Sequence, residues 1–194
     1  AHVGNRNVPI IRGRLQQERG VHRRLFFPDE EITRYELAEW AILSNCIPLI
    51  HDPQEMQFTF RDVPSSLSHA GKDEAFRRRV IYTAVDIGIM QGHPDGTFRP
   101  NEPINRADAM KLIILSGEIP PLRGQPGNIF SDVKLTDWYA PFVERALFDK
   151  LIEGFNDGTF RPFAPLSRAE AAKAIYQMIV NTEKDIENEN IPLK

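Results

Sequence analysis

The chain has 194 residues, with 24 Lys and Arg against 27 Asp and Glu, a formal net charge of −3 and 41% hydrophobic residues. That length can bury a core in one domain or two small ones, and the mild acidity argues against a general nucleic-acid binder, which carries a basic excess. One cysteine, Cys46, excludes an internal disulfide framework and a cysteine-rich metal site, and no apolar run approaches the roughly 18–20 residues of a membrane span.

Residues 1–19 carry no convincing amphipathic pattern and are read as an N-terminal arm or the remnant of a first repeat. Ala1 in place of Met fits a removed export signal, and a fragment equally. From Gly20 onward the chain repeats itself. Gly92-His93-Pro94-Asp95-Gly96-Thr97-Phe98-Arg99-Pro100 returns at an offset of 62 as Gly154-Phe155-Asn156-Asp157-Gly158-Thr159-Phe160-Arg161-Pro162. Ile104 to Asp108 returns at the same offset as Leu166 to Glu170. A weaker copy lies upstream at an offset of 72, where Phe26-Phe27-Pro28 and Ile32-Thr33-Arg34-Tyr35-Glu36 stand. It has lost the Asp-Gly turn to Arg23-Arg24. The boundaries implied are 20–59, 60–122 and 123–181, with a polar tail over 182–194. Ser65 to Lys72 reads as an insertion of about eight residues in the second copy, from offsets of 70 and 62 on its two sides.

Each full copy opens with Phe-x-Asp-Val, at Phe60 to Val63 and Phe130 to Val133. In the third copy Trp138, Phe142, Val143, Ala146, Leu147 and Leu151 then follow helical spacing, with a stop expected near Gly154. Asp95-Gly96 and Asp157-Gly158 predict tight turns in which Gly takes positive φ. A second helix begins three times with a capping pattern: Thr33-x-x-Glu36, Asn105-x-x-Asp108 and Ser167-x-x-Glu170. The apolar faces behind these starts can pack on one another as one central bundle.

An Arg follows every cap, at Arg34, Arg106 and Arg168. A cation at a helix N-terminus opposes the macrodipole, at about 0.3–1 kcal/mol when exposed. The threefold recurrence of that choice suggests an anion site, with guanidinium and free helix N–H groups holding a carboxylate or phosphate. Two other readings stay open. The Arg can pair with the cap acid or with an acid of the next repeat, such as Asp62 or Asp132, or it can persist by duplication without use.

Other chemistry is poorly supported. The Asp-Gly turns lack the alternating ligand ladder of a calcium loop, and the histidines form no metal-ligand pattern, so no metal or cofactor is expected. There is no phosphate loop and no nucleophile elbow, so an enzyme is not expected. Cys46 follows an apolar helix and is expected to be buried.

The motifs in this fixed order resemble the S-layer homology module of bacterial cell-surface proteins: Phe-Ser-Asp-Val, a helix with Trp near its start, the Gly-x-x-Asp-Gly-Thr-Phe-x-Pro turn, and Ile-Thr-Arg-Ala-Glu. Phe130 through Ile179 matches almost throughout, Phe60 to Val63 with Phe76 through Leu115 matches well, and Gly20 through Leu43 matches in its second half. Phe76 replaces the Trp in the second repeat. The resemblance implies a mainly α fold, with three helix-turn-helix repeats in a pseudo-threefold arrangement around a central three-helix bundle and binding grooves between neighbours. It implies a non-catalytic, extracellular anchoring module whose partner is an acidic secondary cell-wall polysaccharide, often pyruvylated on N-acetylmannosamine. The implied ligand-binding residues are Arg34, Arg106, Arg168, Gly20, Gly92, Gly154, Asp62, Asp132 and Trp138. Of the three grooves so implied, those around Arg106 and Arg168 draw on fuller motifs than the one around Arg34, whose own repeat is truncated. The rival reading is a structural or assembly component of a surface layer or envelope complex. It would act as a homo-oligomer or as part of a larger surface protein, joined through the repeats without a glycan.

Overall fold

The computed structural model of the protein describes residues 26–122 and 130–188. The expected arm over 1–19 and Gly20 lie outside the described residues, as does most of the linker through Gly127. Five α-helices are present among the described residues, without a β-strand: α1 Arg34–Ser44, α2 Lys72–Asp86, α3 Arg106–Ser116, α4 Ala140–Phe148 and α5 Arg168–Asn188. A short 3₁₀ turn at Pro53–Glu55 lies between α1 and α2. The mainly α fold expected from the sequence is the fold observed.

The second helices α1, α3 and α5 form the centre, and each touches the other two. Their composition explains the position. Leu37, Ala38, Trp40, Ala41 and Ile42 of α1 are buried, as are Ala107, Ala109, Met110, Leu112, Ile113 and Ile114 of α3 and Ala171, Ala174, Ile175 and Met178 of α5. Each large apolar side chain so buried contributes about 1.5–3 kcal/mol. The small residues let the helices approach closely.

The first helices pack against the preceding repeat. The α2 helix of the second repeat lies on α1, and α4 of the third repeat lies on α3. The packing unit is therefore the second helix of one repeat with the first helix of the next, offset from the sequence repeat.

A ring of backbone hydrogen bonds ties the helix starts together. Ile32 N–H donates to Leu166 O, Leu166 N–H to Ile104 O, and Ile104 N–H to Ile32 O, at 2.9, 3.0 and 3.0 Å. The first N–H of each second helix is likewise taken by the neighbouring turn: Arg34 by Glu102 O, Arg106 by Ala164 O and Arg168 by Glu30 O. The next N–H groups, of Tyr35, Ala107 and Ala169, go to Pro100 O, Pro162 O and Pro28 O. The following donors are met by the caps, with a complete capping box at Thr33 and Glu36. Ser167 and Glu170 exchange the same two bonds. In the second repeat Asn105 accepts from Asp108 N–H, but its Nδ2 donates to the Asp108 carboxylate, the looser form expected.

Several local expectations are corrected. The α4 helix stops at Phe148 rather than near Gly154, because Lys150 adopts φ 59° and Leu151 N–H reaches back to Ala146 O. At the same register of the second repeat stands Gly88, φ 75°. Cys46 is exposed, because it sits at φ 54° just beyond the C-cap of α1 where the chain turns outward. The α5 helix continues to Asn188, past the start of the expected tail, through a run with no Gly or Pro to stop it. Lys72, placed in the insertion by sequence, is the first residue of α2.

Candidate functional site

Phe-x-Asp-Val and the Gly-x-x-Asp-Gly turn build one unit. Asp62 accepts from the N–H groups of Phe98 and Arg99, at 2.8 and 2.7 Å. Asp132 does the same for Phe160 and Arg161, both at 2.7 Å. This holds Arg99 and Arg161 at φ 57°, a left-handed conformation that non-Gly residues rarely adopt. Asp95 and Asp157 each accept from the Thr two residues on and pair with that Arg. The Thr159 hydroxyl, then the Arg161 guanidinium, hold the Asp157 carboxyl down at about 2. Gly96 and Gly158 take positive φ as expected, at 80° and 78°. Gly92 and Gly154 serve a different need: a Cβ at either would run into the ring of Phe60 or Phe130.

The turn of one repeat faces the arginine of the preceding one. Arg34 donates Nε to Phe98 O at 2.9 Å and Nη2 to Gln91 O at 2.7 Å. Arg106 donates Nε to Phe160 O at 2.8 Å and Nη2 to Glu153 O at 2.9 Å, and its Nη1 pairs with Glu170. Arg168 donates Nε to Phe26 O at 3.0 Å and pairs through Nη1 with Glu36 at 2.6 Å. The backbone N–H groups of the helix starts are occupied, so the anion site cannot use them as the sequence suggested. What remains is the guanidinium, and Arg34 and Arg106 are 8% and 1% exposed. Burial lowers the Arg34 pKa, partly opposed by Asp108.

Two grooves result, each at a junction between repeats. The first, about 190 Å³, is lined by Arg34 from the first repeat and by Gln91, Gly92, His93, Asp108 and Lys111 from the second. The second, about 230 Å³, is lined by Arg106 from the second repeat and by Glu153, Gly154, Phe155, Glu170 and Lys173 from the third. Arg34 thus lines a groove although its own repeat is truncated, because the next repeat supplies the other wall. The repeat that pairs with Arg168 includes Gly20, outside the described residues. Asp62 and Asp132 line neither groove; they hold the turns that form the walls. Trp138, 52% exposed, also lies outside the two linings, with the Lys111 ammonium 5.8 Å from its ring centre.

Lys111, Lys173, Gln91 and Glu153 are groove residues that the motif reading missed. The signal was present: each pair stands in register at the offset of 62, just outside the matching motifs.

Residues 59–110 and 129–172 match the S-layer homology domain. The Middle cell wall protein of Brevibacillus brevis is 26% identical over 141 residues, 72% of this chain and 13% of that protein. The Surface-layer 125 kDa protein of Lysinibacillus sphaericus is 29% identical over 111 residues, 57% of this chain and 9% of that one. The Cellulosome-anchoring protein of Acetivibrio thermocellus is 28% identical over 159 residues, 78% of this chain and 32% of that one. The chain thus spans less than a third of the length of each of these relatives.

Proposed function

Because the second and third repeats belong to the S-layer homology family, we propose that the chain is a non-catalytic module anchoring a protein to the bacterial cell wall through an acidic, pyruvylated secondary cell-wall polysaccharide. One observation carries this reading: each groove sets a buried guanidinium beside a lysine at a junction between repeats. A cation removed from water gains most from an anion that replaces its lost hydration. A pyruvate ketal presents such an anion on a compact sugar.

The lining supports binding over chemistry. The two acids that share the second groove are each engaged, Glu170 by Ser167 and Arg106 and Glu153 by Lys173, and the one acid of the first, Asp108, is held by Asn105. The relatives named for surface layers, cell walls and cellulosome anchoring fit a wall-bound role.

The test is co-sedimentation of the full chain with wall sacculi, before and after the secondary polymer is stripped. Retention is expected only on unstripped sacculi, and a Lys111→Gln/Lys173→Gln double variant should lose most of it. Equal retention on stripped sacculi would overturn the reading.

A further inference from the structure

The two grooves share a frame but not a charge. In the second groove Lys173 Nζ pairs with Glu153 Oε1 at 2.7 Å, and Arg106 pairs with Glu170. Both of its cations already have carboxylates. In the first groove Gln91 stands where the second has Glu153, so the lysine loses its carboxylate partner. The cap acid there is Asp108, one methylene shorter than Glu170, and its carboxylate is held by Asn105 Nδ2 at 2.7 Å. Among the described residues neither Arg34 nor Lys111 has a carboxylate within ion-pair distance. His93 also lines this groove, and its Nε2 is buried without a hydrogen-bond partner among the described residues.

We propose that Glu153 is a built-in counter-ion that closes the Arg106 groove to anions, and that Gln91 leaves the Arg34 groove as the one that takes the glycan carboxylate. The inference rests on the anchoring reading above and assigns the ligand to one of its two described grooves. A ligand entering the second groove must displace Glu153 from Lys173 before its own carboxylate can pair there. In the first groove it meets an arginine and a lysine with one acid between them, already engaged. The Lys173 ammonium, by hydrogen bond and then by charge, holds the Glu153 carboxyl below its ordinary range, so this counter-ion stays ionised at neutral pH.

The experiment is an NMR titration of the full chain with N-acetylmannosamine bearing a pyruvate ketal, with plain N-acetylmannosamine as the uncharged control. The amides of Gly92 and His93 report on the first groove, and those of Gly154 and Phe155 on the second. First-groove amides should saturate at a probe concentration at least about fivefold lower than second-groove amides, since a charge-assisted pair is strong and each tenfold in affinity is about 1.4 kcal/mol. Lys111→Gln, a change on the groove rim that spares the buried arginine, should abolish that difference. Glu153→Gln should bring the second-groove amides into the range of the first. Saturation of both grooves together in the unaltered chain, or no response to Glu153→Gln, overturns the inference while leaving the anchoring reading intact if retention on sacculi still needs the polymer. Shifts at neither groove, with polymer-independent retention, overturn both.

Discussion

In the second repeat Asp62 braces the Phe98–Arg99 backbone and Asp95 pairs with Arg99; in the third, Asp132 and Asp157 make the same bonds to Phe160 and Arg161. A few residues away the copies part. Gln91 aligns with Glu153, His93 with Phe155 and Asp108 with Glu170. The bracing acids answer to backbone geometry, which any copy of the turn must satisfy. The groove rims answer to what enters the groove, and there two copies of one ancestral frame can differ without loss of fold.

The largest expected break in this comparison is at the arginines. Arg106→Met leaves two carbonyls without their donor and Glu170 without its guanidinium partner and should cost about 3 kcal/mol, whereas Arg34→Met frees only two carbonyls and should cost about 2 kcal/mol. Urea unfolding of the two variants checks the order. Next come Asp62→Asn and Asp132→Asn. Each places an amide NH₂ against a backbone N–H and should cost about 1–2 kcal/mol, equally in the two repeats if the turns are equivalent. A marked inequality in their melting temperatures would break the equivalence.

Smaller effects sharpen it. At one register the second repeat has Gly88 and the third Lys150, both at positive φ. Gly88→Ala should destabilise by about 1 kcal/mol and Lys150→Gly should stabilise by somewhat less, since a Cβ is strained there. Thermal unfolding of the pair tests this. Acid should loosen the ring of repeats. Burial pushes the Glu36 and Glu170 carboxyls up, but the Thr33 and Ser167 N–H groups and the guanidinia of Arg168 and Arg106 outweigh it, so both sit below their ordinary value. A depressed folded pKa gives stability that is present above the unfolded value near 4.5 and is lost as pH falls through the folded one. Glu36→Gln should flatten the stability-pH curve below about 4.5. Smallest of all, Glu153→Gln should leave the melting temperature unchanged, since Glu153 is exposed, and alter only what the groove binds.

Much of the frame was legible in the sequence because its rules are local. A cap needs its acid three residues on, and an Asp-Gly turn needs Gly at positive φ, so Thr33 with Glu36 and Gly96 with Gly158 could be read directly. Partners across repeats could not. Nothing near Arg34 in the chain announces that its N–H bonds Glu102 O or that its guanidinium reaches Gln91 O, and so the helix starts looked open when they are filled. The groove of Arg34 is hard to read from the sequence for the same reason: its wall comes from the next repeat. Gly154 was read as a helix stop because Gly often is one, while the true stop at Lys150 is a residue with no such preference.

The ring through Ile32, Ile104 and Leu166 has a consequence for how such a chain grows and unfolds. An open stack of repeats gains stability with each unit added and can fray from either end. Here the last repeat is bonded to the first across more than a hundred residues of chain, so neither end is a free end. Opening any one junction exposes the other two, which favours all-or-none unfolding and, because the closing contacts are distant in sequence, slow folding. A fourth copy would find every position at the hub already taken, and a longer protein of this kind has to begin a second hub.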